Sequence, residues 1–264
     1  METIDRCIEE FRVQKMWGRI NLHWKGIDKN VNILVGINGG GKTTLLNLMY
    51  DYYTGQKVKK EMAEALDGNK IGSPIAYIRS FDVPANAKKK TESMLLQDLK
   101  NIINQNGEGT SFFDYRMKML NYPQDAERIS NRIELYFQVV NSLFGETGKE
   151  ITIDPKNNTL VFALKKFSGL NAATGGTVQL EQLSSGEKQI LLILTTVFLQ
   201  EEKPCILLMD EPEISLHITW QDRLIEKIRQ LNPYCQLILT THSPNIFANG
   251  WEDKIVFIED LEEK

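Results

Sequence analysis

The sequence is poor in three features that define broad classes of protein: cysteine, long apolar runs and excess positive charge. Its 264 residues include only three cysteines, Cys7, Cys205 and Cys235, which stand far apart and form no CxxC pair. This spacing argues against a disulfide framework and against a cysteine-based metal site. It favours reduced thiols in the cytoplasm.

No apolar run is long enough to serve as a membrane span or a secretory leader. The longest, Ile190–Leu199, is about half the length that a membrane helix needs. Acidic residues interrupt the N-terminus, so we expect no secretory signal. The formal net charge is −4, whereas domains that grip nucleic-acid phosphates are usually basic. We therefore expect a soluble cytoplasmic protein with no membrane segment, and the charge gives no support to nucleic-acid binding.

The order of the predicted elements indicates an α/β fold. Short apolar runs at Asn32–Val35, Ile75–Ile78 and Cys205–Met209 are typical of buried strands. Helical patterns lie between them, and this alternation implies a parallel sheet with helical crossovers. The stretch at about 86–144 has helical periodicity and carries none of the motifs described below. We predict a single domain, 1–264, with a helical insert at about 86–144.

A glycine-rich segment, GINGGGKT, matches the phosphate-binding pattern G-x-x-x-x-G-K-[ST] at every position. It follows an apolar strand and precedes a helix, as this loop (the P-loop) requires. Glycines let backbone N–H groups turn towards phosphate, and the helix start adds its dipole. The lysine is expected to neutralise the β- and γ-phosphates, and the first threonine to hold Mg²⁺. The predicted nucleotide-binding residues are Gly36, Asn38, Gly39, Gly40, Gly41, Lys42, Thr43 and Thr44.

A second motif is the apolar strand that ends in two carboxylates, Ile206–Glu211. Ligands of α/β sheets bind at the carboxyl ends of the strands, which places these carboxylates beside the P-loop. We expect Asp210 to hold Mg²⁺ together with Thr43. We expect Glu211 to activate the attacking water as a general base. The two motifs together predict an ATPase that uses ATP and Mg²⁺.

The third motif is the segment LSSGEKQ, Leu183–Gln189. Ser184 and Glu187 have the spacing of a capping box at the start of a helix. A helix start capped in this way also offers N–H groups and hydroxyls to a phosphate. The residues alone support both a structural and a phosphate-binding role.

All these motifs occur in an order that resembles ABC-type ATPases: GINGGGKTT, LSSGEKQ, ILLMDEPEISLH and LILTTHS. The resemblance covers roughly residues 15–55 and 178–260. It implies a P-loop NTPase fold of ABC-ATPase type, with a mixed sheet and helices on its faces. It also implies a head-to-tail homodimer around ATP, in which one copy contacts the nucleotide of the other through Ser184, Gly186 and Glu187.

Further features of the resemblance concern the chemistry and the branch of the family. It assigns His242 as the switch histidine that contacts the γ-phosphate. Because the family often uses an aromatic residue near the first strand to stack on adenine, it leaves this role open for Trp24. The run DEPEISLH resembles OLD-like stand-alone ATPases, some of which belong to bacterial anti-phage systems. That form implies a separately encoded effector, such as a nuclease. His217 stands where transporter ATPases usually have aspartate, and no glutamine follows the strand Ile75–Ile78.

Three alternatives stay open on the sequence. The chain could be the ATPase subunit of a membrane transporter, although His217 and the missing glutamine argue against it. It could be a DNA-repair or SMC-like head, which the acidic balance disfavours. It could also bind ATP as a structural clamp without turnover.

Overall fold

The computed structural model of the protein describes residues 5–80, 93–104, 111–155, 159–164 and 176–263. The strands are β1 Glu10–Met16, β2 Ile20–Lys25, β3 Val31–Val35, β4 Ala65–Gly68, β5 Ile75–Ile78, β6 Lys149–Ile153, β7 Leu160–Leu164, β8 Thr177–Val178, β9 Cys205–Asp210, β10 Cys235–Thr240 and β11 Ile255–Phe257. The helices are α1 Lys42–Tyr53, α2 Met94–Asn104, α3 Phe112–Asn121, α4 Ala126–Phe144, α5 Ser185–Phe198, α6 Ile218–Gln221 and α7 Leu224–Leu231. Parts of the predicted insert, 86–92 and 105–110, lie outside the described residues. Among the helices that are described, none has the length and apolar character to cross a membrane.

A parallel sheet in the order β11-β3-β10-β9-β5 forms the centre of the fold. Strands β9 and β10 are buried along their whole length because both faces of the sheet are covered. Alternate residues of β9 project to opposite faces. Leu207 and Met209 pack into one hydrophobic cluster, and Ile206 and Leu208 pack into another. The sheet therefore separates two cores.

The antiparallel strands of the described chain form two smaller sheets, β2-β1-β4 and β6-β7-β8. The first of these and α1 cover one face of the central sheet, where Phe11 packs with Leu45. Helices α2 to α5 and α7 cover the other face. From the sequence we expected one mixed sheet. In the described residues, the central sheet is parallel and the two smaller sheets are antiparallel.

The helices of the predicted insert share the main core. The hydroxyls of Tyr136 in α4 and Thr195 in α5 form a buried hydrogen bond of 2.8 Å. The guanidinium of Arg132 in α4 donates to the carbonyls of Phe198 and Leu231, which end α5 and α7. Pro123 lies between α3 and α4 and interrupts the helical stretch. The single domain stays a prediction, and this shared core supports it.

Candidate nucleotide site

The P-loop joins β3 to α1 at the carboxyl edge of the central sheet. Gly41 precedes α1 with a φ of 99°, in the left-handed region that glycine adopts readily. A Cβ at Gly41 would lie 2.7 Å from the Met16 methyl group and 3.1 Å from the Trp17 ring. A larger residue would therefore push the loop away from the turn between β1 and β2.

The remaining glycines and polar residues of the P-loop form one tight turn. Asn38 and Gly39 lie at its exposed tip. The Gly40 N–H donates to the Ile37 carbonyl at 3.1 Å. Thr44 is half-buried in the first turn of α1. Within the turn, the exposed part of the predicted nucleotide-binding segment is therefore its tip, and Gly41 and Lys42 lie buried behind it.

Lys42 begins α1 and folds back over the P-loop. Its Nζ donates to the carbonyls of Gly36 at 3.0 Å and Ile37 at 3.1 Å. Burial lowers the pKa of Lys42, and nearby carboxylates, with Glu211 first among them, oppose that shift. The ammonium is therefore held inside the loop by carbonyl oxygens that phosphate oxygens could replace.

The carboxylate of Asp210 lies between two hydroxyl groups. Thr43 Oγ1 donates to Asp210 Oδ1 at 3.0 Å, and Thr240 Oγ1, at the end of β10, donates to the same oxygen at 2.7 Å. Hydroxyl and carboxylate oxygens are hard ligands of the kind that Mg²⁺ takes. Thr43 and Asp210 come from different elements and meet at one point, so the donor set fits this cation.

Glu211 follows Asp210 in a backbone conformation that is uncommon for a residue with a side chain, with a φ of 45°. Its N–H donates to Thr240 Oγ1 at 3.0 Å, which holds the turn. Its Oε1 lies 3.4 Å from His242 Nε2. Burial and then Asp210 raise the pKa of Glu211, while His242 lowers it. A half-buried carboxylate with a raised pKa has the character of a general base.

Glu213 is a buried residue of the site that the sequence analysis did not single out. Its side chain accepts hydrogen bonds from the Thr241 hydroxyl at 2.7 Å and from the His242 N–H at 2.8 Å. The signal was present in the sequence as the second glutamate of the DEPE run. Nothing in the sequence alone indicated which residues that carboxylate would bind.

The segment predicted to contact a partner's nucleotide opens α5. Ser184 Oγ accepts from the Glu187 N–H, and Glu187 Oε2 accepts from the Ser184 N–H, which completes the capping box. Glu187 Oε1 accepts from Lys149 Nζ at 2.7 Å and Thr147 Oγ1 at 2.8 Å. Glu187 is only 2% exposed. The expected contact between Glu187 and ATP conflicts with this geometry, because both oxygens are bound inside the chain.

Gly186 lies where the start of α5 meets the segment after β9. A Cβ at Gly186 would lie 2.3 Å from the Ser215 carbonyl oxygen, so only glycine allows this approach. The side chains of Ser184 and Ser185 remain exposed. Within the described ranges, no hydrogen bond or ion pair connects 184–187 with the P-loop. Residues 184–187 and the P-loop therefore form separate surfaces within the described part of one chain.

The suggestion that Trp24 stacks on adenine is wrong. Trp24 is 2% exposed and packs in the core between the antiparallel sheet and α1. Trp17, in the turn between β1 and β2, is half-buried instead, and its ring borders Gly41. Trp17 is therefore the aromatic residue of this turn that adjoins the P-loop.

The fold and the site define an ATPase domain of the AAA/ABC type. The family described as "AAA domain, putative AbiEii toxin, Type IV TA system" matches residues 78–248, about two thirds of the chain, and the chain belongs to this family. The matched region includes Asp210, Glu211 and His242. It begins after the P-loop, which is assigned from its motif and its geometry.

Individual proteins resemble the chain over different lengths. An uncharacterized ABC transporter ATP-binding protein of Haemophilus influenzae is 40% identical over 91 residues, and the match covers only 34% of each chain. The Septu protein PtuA of Bacillus thuringiensis is 20% identical, over 90% of this chain and 72% of PtuA. A crystal structure of an SmcHead bound to the C-winged helix domain of ScpA superposes with a TM-score of 0.57 and 14% identity, covering 95% of this chain and 94% of that one. The last similarity shows the fold alone.

Proposed function

We propose that the chain is an ATP-hydrolysing switch that forms a homodimer around ATP and gates a separately encoded effector, such as a nuclease, in anti-phage defence. The observation that carries the hydrolytic part is the convergence of two pairs at one edge of the sheet. Thr43 and Asp210 are 3.0 Å apart, and Glu211 and His242 are 3.4 Å apart. A structural clamp has no need of a general base beside its P-loop.

Each residue has a defined role in the proposed reaction. Lys42 exchanges its loop carbonyls for the β- and γ-phosphate oxygens. Glu211 accepts a proton from the water whose oxygen attacks the γ-phosphorus. A new P–O bond forms, the bond to the bridging oxygen breaks, and ADP leaves with that electron pair. Mg²⁺, when bound by Thr43 and Asp210, supplies positive charge to the phosphate oxygens. His242 donates to the γ-phosphate, and Glu211 lies within its reach.

The homodimer completes the site in this proposal. Ser184 and Ser185 are exposed at the start of α5, and the helix start attracts anions. Their separation from the P-loop of the same chain supports contact with the nucleotide of a second copy. Ser184 and the backbone at Gly186 make that contact, while Glu187 fixes the helix start from inside. Trp17 stacks on the adenine ring.

The proposed role in defence depends on the form of the DEPEISLH run and on the similarity to PtuA. The run resembles stand-alone OLD-like ATPases, and the match to PtuA covers 90% of this chain. An ATPase head that closes on ATP and opens after hydrolysis performs work only through an attached partner. A separately encoded effector provides that output.

Steady-state ATP turnover of a Glu211→Gln variant tests the catalytic part. The change keeps the size of the side chain and removes the base, so we expect kcat to fall about 10²- to 10⁴-fold. Binding of ATP should persist because Lys42 and the P-loop are intact. Glu252→Gln, an exposed glutamate, serves as the matched control. Parental turnover in Glu211→Gln would refute the assignment.

Complementation between two inactive variants tests the homodimer. Lys42→Ala removes nucleotide binding, and Ser185→Arg places bulk at the exposed start of α5 without removing the Ser184 cap. Each variant alone should be inactive. A 1:1 mixture should regain turnover, because one mixed site combines an intact P-loop with an intact α5 start. A mixture as inactive as its parents counts against contact between copies.

A phage challenge tests the biological role. Cells that carry the gene with its neighbouring genes should resist phage, and the Glu211→Gln variant should lose that resistance. Equal plaque counts for cells with the wild-type genes and with an empty vector, over a broad phage panel, would contradict the defence role. That result would leave the ATPase assignment intact.

A further inference from the structure

The carboxylate of Glu213 is buried beside the candidate catalytic pair without taking part in it. The residue is only 9% exposed. Its Oε1 accepts from the Thr241 hydroxyl and from the His242 N–H. Its Oε2 is buried and has no hydrogen-bond partner among the residues that the structure describes. A carboxylate with an unpartnered buried oxygen is a liability for stability, since desolvation opposes it.

Glu213 binds the turn that carries His242 through one side-chain hydroxyl, that of Thr241, and one backbone N–H, that of His242. Thr241 Oγ1 donates to Glu213 and also accepts from the Ser243 N–H at 2.9 Å. The His242 amide donates to the same Glu213 oxygen at 2.8 Å. The turn is therefore fixed on both sides of His242, although the imidazole itself stays partly exposed.

The segment from Glu211 to Glu213 is thus connected to both members of the candidate catalytic pair, Glu211 and His242. Glu211 belongs to it directly, and Glu213, two residues further on, holds the turn that presents His242. Glu211 Oε1 and His242 Nε2 lie 3.4 Å apart, and both residues are anchored through this segment. Displacement of a reacting group by about 1 Å can lower a rate about 10²-fold.

We propose that Glu213 is a positioning residue that sets His242 relative to Glu211 through hydrogen bonds to Thr241 and to the His242 amide. This inference depends on the proposed hydrolysis of ATP. Glu213 touches neither the phosphate nor the attacking water. Its effect on turnover passes through His242.

A double-mutant cycle with ATP turnover tests this route. Glu213→Ala should lower kcat about 10- to 100-fold, with the KM for ATP changed less than about twofold, because the P-loop contacts are intact. Glu213→Gln keeps an oxygen acceptor and should retain most of kcat. In a His242→Ala background, Glu213→Ala should change kcat less than about threefold, since residues that act through each other are not additive. Glu252→Ala is the exposed control.

A second measurement does not require turnover. Hydrogen exchange of the His242 amide should be about tenfold faster in Glu213→Ala and close to wild type in Glu213→Gln. Thr241→Val removes only one donor and serves as the milder variant where Glu213→Ala folds poorly. Its kcat should fall in the same direction, with KM again retained.

Three results would overturn the inference: full additivity with His242→Ala, unchanged exchange of the His242 amide in Glu213→Ala, or equal damage from Glu213→Ala and Glu213→Gln. A different result would show that the proposed function itself is wrong. A wild-type chain that binds ATP without turnover refutes the hydrolysis, while the amide exchange still decides whether Glu213 holds the His242 turn.

Discussion

Replacing Glu187 with alanine would remove the side-chain hydrogen bonds that connect the start of α5 with β6 and the turn before it. The carboxylate accepts hydrogen bonds from Lys149 Nζ, Thr147 Oγ1 and the Ser184 N–H. Hydrogen bonds to a charged group contribute about 1.5–3 kcal/mol each, but those that share one carboxylate are not additive. Removing one partner of a buried ion pair costs about 3–5 kcal/mol. The Lys149 side chain is 19% exposed and regains some hydration, so we expect a loss of about 2–4 kcal/mol.

Chemical denaturation measures this loss directly. For a chain of this size each kcal/mol corresponds to about 2–4 °C, so thermal unfolding should shift by about 5–15 °C. Glu181→Ala is a matched control from the same region, because the Glu181 side chain of its ion pair with Lys100 is 50% exposed and such a pair contributes about 1 kcal/mol or less. If Glu187→Ala loses no more stability than Glu181→Ala, the structural role assigned to Glu187 is refuted.

The same interaction predicts a dependence of stability on pH. Burial alone would raise the pKa of Glu187, but hydrogen bonds from Lys149, Ser184 and Thr147 outweigh burial and hold that pKa below its usual value. The contribution is therefore complete above the unfolded-state pKa of about 4.3 and is lost as the pH falls through the folded-state pKa. The stability difference between wild type and Glu187→Gln should shrink as the pH falls from neutral into the range below about 4.3. A constant difference in urea unfolding over that range would contradict this account.

Two further substitutions test other parts of the site. Trp17→Ala should raise the KM for ATP about 5- to 100-fold with little change in kcat, because stacking on a base contributes about 1–3 kcal/mol to binding; an unchanged KM would remove Trp17 from the site. Gly186→Ala places a methyl group against the Ser215 carbonyl and should destabilise the fold by about 1–3 kcal/mol in urea unfolding, and a variant as stable as wild type would show that the contact is not tight.

The sequence predicted the central elements well because their patterns are local. Strand β5 was placed at Ile75–Ile78 from its apolar run, and the observed bounds are the same. The strand predicted at Cys205–Met209 was also placed to within a residue, since two carboxylates mark its end, and the helix expected after the P-loop is α1. The P-loop motif further required a strand before it and a helix after it, and the structure has both.

Features that depend on long-range packing could not be predicted in this way. Trp24 and Trp17 are both aromatic residues near the first strands, and only the register of β1 against β2 buries one and leaves the other beside the P-loop. The family resemblance led us to expect that Glu187 contacts nucleotide, and its partner Lys149 could not be predicted because it lies in a hairpin 38 residues away. The role of Glu213 was not predicted because the groups that donate to it, the Thr241 hydroxyl and the His242 N–H, follow a different strand. A single sequence gives the residue types of such pairs without their distances.

The start of α5 contacts the segment after β9, and in the proposed dimer this contact would connect the two nucleotide sites. Gly186 abuts the Ser215 carbonyl, and Gln189 Nε2 donates to the Pro212 carbonyl at 2.8 Å in a buried setting. Because protein interiors are close-packed, the start of α5 cannot shift without moving this segment, which follows Glu211 directly. In the proposed dimer, ATP bound by one copy would therefore affect the position of Glu211 in the other copy. We expect turnover to depend on ATP with a Hill coefficient above 1, measured at a protein concentration that keeps the dimer assembled, and a strictly hyperbolic dependence would argue against coupling through this contact.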